Sequence, residues 1–123
     1  MTATLIALYR RPDGDEALAT FRRRYAAEHL PLIRQTPGLR SLHVARVTEA
    51  WGQSDLSMIV RMVFDDRAAL DAALTSDAMR AAGRNLREIA PGLATTVIVE
   101  PDDELGADDE PDTEDSADAG GAG

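Results

Sequence analysis

Apolar residues recur along this chain in two alternating rhythms. Ala3–Arg10 is a short, mostly apolar run closed by the turn formers Arg11-Pro12-Asp13-Gly14, which predicts a first strand. The period then lengthens. Leu18, Phe21, Tyr25, His29 and Leu32 follow at spacings of three and four, placing one apolar stripe on a helix from about Glu16 to Gln35. Asp13 or Asp15 is expected to cap that helix, with Glu16 in its first turn, where the helix dipole favours acids. Pro31 has no N–H for the Ala27 carbonyl and its ring crowds that carbonyl, so the helix must kink there, or stop and restart with Pro31 in a first turn. Thr36-Pro37-Gly38-Leu39 suits a type II turn. Leu39–Val47 alternates as a second strand, Thr48–Asp55 is a loop, and Leu56–Phe64 is a third strand. Asp65-Asp66 offers a cap for an alanine-rich helix over Arg67–Leu74, and Ser76 caps a further segment over Asp77–Ile89. After the turn Pro91-Gly92, Leu93–Glu100 is the last strand.

The order strand–helix–strand–strand–helix–strand is the split βαβ, or ferredoxin-like, arrangement of the α+β class: a four-stranded antiparallel sheet with its helices on one face. The other face should then alternate with polar residues. It does not do so cleanly. Leu5, Ala7 and Tyr9 back Ile6 and Leu8, Ile59 and Val63 back Met58, Val60 and Met62, and Val97 and Val99 back Ile98. Both faces read as buried. A second copy laid sheet to sheet would cover the open one, so a homodimer is expected, forming a dimeric α/β barrel.

Charge changes the picture only once it is divided. The 123 residues suit one domain and carry a net charge of -9. Of the 22 acids, 10 lie in residues 101–123 beside no base, leaving 12 against 13 arginines in residues 1–100. The folded part is near neutral, which argues against a nucleic-acid surface. The Arg22-Arg23-Arg24 run reads as a solvated helix face. The stretch after Pro101 has little to bury and is expected to be a disordered acidic tail, of use mainly for solubility. No cysteine is present, so disulfides and thiolate metal sites are excluded. The absence of a long apolar run and of a signal-like N-terminus leads to the expectation of a cytoplasmic protein with no membrane partner.

The candidate chemistry is sparse. His29 is a titratable group on an apolar helix face beside the expected kink, suited to moving a proton without metal or cofactor. From the residues alone it reads first as a helix-end histidine bonded to a freed carbonyl such as that of Ala27. Arg61 interrupts an apolar strand and could clamp an anion or pair with an acid across the dimer. Tyr9 and Tyr25 suit a pocket wall or a core with the hydroxyl at a wet edge. His43 stands on a strand face with Ser41 and Ala45, and Trp51 could lid a pocket or pack on the other subunit. Two histidines on separate elements do not make a metal site.

Several of these segments together resemble the EthD family: Leu8-Tyr9-Arg10-Arg11-Pro12-Asp13, Tyr25 with Glu28-His29-Leu30-Pro31-Leu32, Pro37-Gly38-Leu39-Arg40, and Val63-Phe64-Asp65 leading into Ala69-Leu70 and Ala72-Ala73-Leu74. The resemblance covers about residues 3–100 and leaves out the tail. It implies a dimeric α/β barrel in catabolism or secondary metabolism. Relatives carry the label reductase, but this sequence holds no nucleotide-binding motif. Others are described as dehydratases or decarboxylases, and a related lactone isomerase works without a cofactor, using histidines in its pocket. Carried over by residue, His29 matches the family's His-x-Pro position. The resulting expectation is a homodimer binding an apolar or aromatic small molecule, with cofactor-independent proton transfer by His29 and with Tyr9, Tyr25, Arg61, His43 and Trp51 as binding residues. The alternatives are a non-catalytic binding or assembly module, and a cofactor-free monooxygenase or a reductase.

Overall fold

The computed structural model describes residues 1–106. Strand β1 (Ala3–Arg10) leads into α1 (Asp15–Arg24), a π-helical turn (Tyr25–His29) and α2 (Leu30–Arg34). Strands β2 (Leu39–Arg46) and β3 (Leu56–Phe64) follow, then α3 (Arg67–Leu74), α4 (Asp77–Ile89) and β4 (Ala94–Val99). The sheet order is β2-β3-β1-β4, and every neighbouring pair is antiparallel. This is the α+β, ferredoxin-like arrangement that the order of apolar rhythms predicts.

One local detail differs from the sequence expectation and another sharpens it. Neither Asp13 nor Asp15 caps α1: Gly14 takes the cap position at φ 89°, with no side-chain bond, and Asp15 instead ion-pairs with Arg11 at 2.9 Å. The cap needs a positive φ, which glycine adopts at no steric cost and aspartate does not. At Pro31 the helix restarts with the proline in a first turn, one of the two outcomes expected, but it does so with no gap in the chain of helical turns. One wider turn absorbs the missing donor: the Leu30 N–H reaches back five residues to the Tyr25 carbonyl, and Pro31 sits in the first turn of α2, where no N–H is needed. The other expected caps form, with Asp66 accepting from the Ala69 N–H and Ser76 from the Met79 N–H. Gly38 holds φ 81° in the turn before β2, where the Leu39 N–H meets the Thr36 carbonyl.

The odd residues of β1 (Ala3, Leu5, Ala7, Tyr9) and the even residues of β3 (Met58, Val60, Met62, Phe64) are buried beneath the helices. They form two packed groups, one around Phe64, Leu70 and Ile33 and one around Tyr9, Phe21 and Tyr25, which Leu30 and Leu42 join. The opposite face has no helix. One row across it reads His43, Arg61, Ile6, Val97. Val97 and Val99 are left about 40% exposed there in the single chain. The expectation of disorder after Pro101 falls mostly on residues 107–123, outside the described residues. Within 101–106 the Asp102 carboxylate accepts from the N–H groups of Glu104 and Leu105, both at 3.0 Å.

Candidate functional site

The π-helical turn places His29. The wider turn brings Tyr25 and His29 onto the buried face together, with their rings 4.8 Å apart. His29 is 3% exposed and lines a cavity of about 210 Å³ between sheet and helices. Leu5, Tyr9 and Met62 wall it from the sheet, and Ile33, Met79 and Leu86 from the helices. A wider surface depression beside Pro12–Ala17 carries exposed carboxylates and no histidine.

A chain of four side chains fixes the His29 ring. Arg24 grips Glu28 through two bonds, Nε to Oε2 at 2.8 Å and Nη2 to Oε1 at 3.1 Å, and also reaches Glu88 at 3.1 Å. Arg24, with help from Asn85, holds the Glu28 carboxyl below its usual range. Glu28 is therefore ionised near neutral pH and can only accept. The Asn85 amide nitrogen donates to its Oε1 at 2.9 Å, which turns the amide oxygen toward His29. That oxygen lies 3.1 Å from Nδ1, so Nδ1 carries the proton and donates. The remaining nitrogen, Nε2, has no protein partner among the described residues and keeps its lone pair. Burial lowers the pKa of His29, and the Asn85 bond only partly opposes this. Burial thus favours the neutral ring, with Nδ1 as donor and Nε2 as the unprotonated nitrogen.

Tyr9 and Tyr25 share a hydroxyl–hydroxyl bond of 3.1 Å in an edge-on pair whose centroids are 5.2 Å apart. Burial raises both phenol pKa values, so both stay protonated. Tyr9, Tyr25 and His29 therefore form one group. The other candidates lie elsewhere. His43 and Arg61 face each other on the open side of the sheet, across the sheet from His29. Trp51 is 92% exposed in the β2–β3 loop and donates to Glu49 at 2.8 Å. The alternative partner for His29, the Ala27 carbonyl, is not the one used. Sequence reasoning missed Asn85, 56 residues from His29. It is the chain's only asparagine, and it falls within the apolar α4 stripe Ala78, Ala82, Ile89. That misplaced amide was the available signal. Among the described residues no group of three His, Asp or Glu side chains is placed to hold a metal ion, and no helix is long and apolar enough to cross a membrane.

The EthD domain profile matches residues 14–91, well over half of the chain and including the whole π-helical turn and Asn85. The chain belongs to the EthD family. An EthD family protein from Bacillus halodurans is 34% identical and superposes with a TM-score of 0.74, covering 82% of this chain and 99% of that one. Two more distant structures share the fold. A dimeric ferredoxin-like protein of unknown function from Bacteroides fragilis is 18% identical at a TM-score of 0.61, covering 80% and 95% of the two chains. A cofactor-independent oxygenase from Streptomyces nogalater is 18% identical at 0.53, covering 85% and 97%. No curated protein matches this EthD sequence.

Proposed function

We propose that this EthD protein binds a small aromatic or apolar compound in the cavity between sheet and helices, and that His29 moves a proton on it through Nε2. The observation that carries this reading is a buried histidine in the wall of an apolar cavity whose Nδ1 is engaged by Asn85 and whose Nε2 has no partner among the described residues. A cavity of about 150 Å³ is enough to hold benzene. The space here, about 210 Å³, suits one substituted ring. The imidazole would take a proton from an acidic C–H or O–H of the ligand at Nε2 while Nδ1–H stays bonded to Asn85, and would return it to a second atom of the same ligand. The net change is an isomerisation, or loss of water where the returned proton goes to a departing hydroxyl. The Tyr9 hydroxyl, held by Tyr25, would orient a ligand oxygen. No cofactor is required for these steps.

The working unit is proposed to be a homodimer closed over the open sheet face, where Ile6 and Leu8 are only partly buried and Val97 and Val99 are exposed in one chain. His43 and Arg61 would then belong to the subunit contact and not to the cavity.

The test is a thermal-shift screen of lactones and hydroxyaryl compounds, followed by a turnover assay on the hits. Proton transfer predicts product from the wild type, and binding without turnover in His29→Gln. Equal turnover by His29→Gln defeats the catalytic role. Binding with no turnover by either protein would favour a binding module, and oxygen uptake during turnover an oxygenase.

A further inference from the structure

A second cavity of about 210 Å³ lies at the β2 edge, beyond Tyr25. It is separate from the one that His29 lines. Its wall is formed by Tyr25, Leu30, Val44 and Met58, and Arg22 and Arg46 stand at it from two different elements. Arg46 is out of place by the logic of the sheet. Its neighbour across the ladder is the buried Met58, so it stands on the helix-facing side. Away from the register shifts at Tyr9/Arg10 and Leu39/Ser41, the other positions on that side (Ala3, Leu5, Ala7 and Tyr9, Leu42 and Val44, Met58, Val60, Met62 and Phe64, Ala94, Thr96 and Ile98) are apolar, tyrosine or threonine. Val44 beside it is 45% exposed, so the helical layer stops short of this end of β2. Neither Arg22 nor Arg46 makes an ion pair among the described residues, whereas Arg24, two positions on, is held by Glu28 and Glu88.

We propose that this cavity binds a small aromatic carboxylate, its ring against Tyr25, Leu30 and Met58 and its carboxylate between Arg22 and Arg46. Two guanidiniums beside an apolar wall match a molecule with one flat hydrophobic end and one anionic end. The chain's own acidic segment satisfies only half of this description, since residues 107–123 offer carboxylates but no side chain larger than proline or glutamate to cover the apolar wall. Tyr25 links the site to the central cavity, since its hydroxyl bonds that of Tyr9. The site lies on the helix side of the sheet, so a dimer closed through the open face leaves it accessible.

The test titrates the full-length protein with sodium benzoate and, separately, with neutral benzamide, following the methyl signals of Leu30, Val44 and Met58. Benzoate should shift these methyls saturably, and benzamide should bind at least tenfold more weakly. Arg46→Gln and Arg22→Gln should each weaken benzoate about tenfold, both changes being at exposed side chains that leave the core intact. Equal binding of benzamide, unchanged affinity in both variants, or shifts centred on Leu74 and Met79 of the central cavity would overturn the proposal. None of these outcomes depends on His29 having a catalytic role.

Discussion

Asn85→Leu removes the acceptor that sets the His29 tautomer while keeping the volume of the side chain. His29 is 3% exposed, so its Nδ1–H would be left in the protein without a partner. A buried donor stripped of its acceptor costs about 1–3 kcal/mol. The lost bond to Glu28 lies at a half-exposed edge and adds little. At about 2 kcal/mol, and about 4–8 °C per kcal/mol for a domain of this size, the midpoint of thermal unfolding should fall by about 10 °C. Asn85→Asp separates this cost from the electrostatics. A carboxylate still accepts from Nδ1, but it favours the charged imidazolium, and it also faces Glu28. The His29 midpoint, followed through its Cε1–H signal, should lie below about 6.5 in the wild type and clearly higher in Asn85→Asp. The relay would be refuted if Asn85→Leu melted within about 2 °C of the wild type, or if the His29 midpoint were the same in wild type and Asn85→Asp.

Further outcomes follow from the same geometry. The folded-state pKa of His29 is depressed, so the unfolded chain takes up its proton first as pH falls. Stability should therefore decline as pH drops below about 6.5 toward the folded-state value, and urea titrations should show this slope in the wild type and not in His29→Gln. Gly38→Ala meets no atom nearer than Phe64 Cδ2 at 3.9 Å, so its cost is the positive φ alone, about 1–2 kcal/mol in denaturant titration. Val97→Asp on the open face should convert a dimer into a folded species of one 13.2 kDa chain in light scattering. A wild-type protein that is already monomeric at micromolar concentration would remove the dimer from the account.

The fold was legible because each element announces its period. Alternation in Leu39–Val47, the three-and-four spacing from Leu18 to Leu32, and the caps at Asp66 and Ser76 are local signals that the packing obeys. The π-helical turn was not legible, since a spacing of four from Tyr25 to His29 fits an α-helix as well. Its cause was visible in Pro31, and so was a restart with Pro31 in a first turn, but proline alone does not specify the wider turn that joins the two segments. Half of the candidate site could be read from sequence. Tyr25 and His29 share the apolar stripe of the helix, as their spacing requires, and Tyr9 lies on the strand face that the helices cover. His43 and Arg61 carry the opposite strand parity, and parity alone does not say which face the helices cover. Asn85 lies a whole strand pair and two helices away in sequence, and only the fold brings it to Nδ1.

In the proposed reaction His29 acts as a neutral base through a bare Nε2. A long-range 1H–15N spectrum of the selectively labelled histidine at pH 7 measures this directly. The expected spectrum is that of the neutral tautomer protonated at Nδ1, with Nε2 at the shift of an unprotonated nitrogen. A proton found on Nε2, or a ring charged at pH 7, would contradict it.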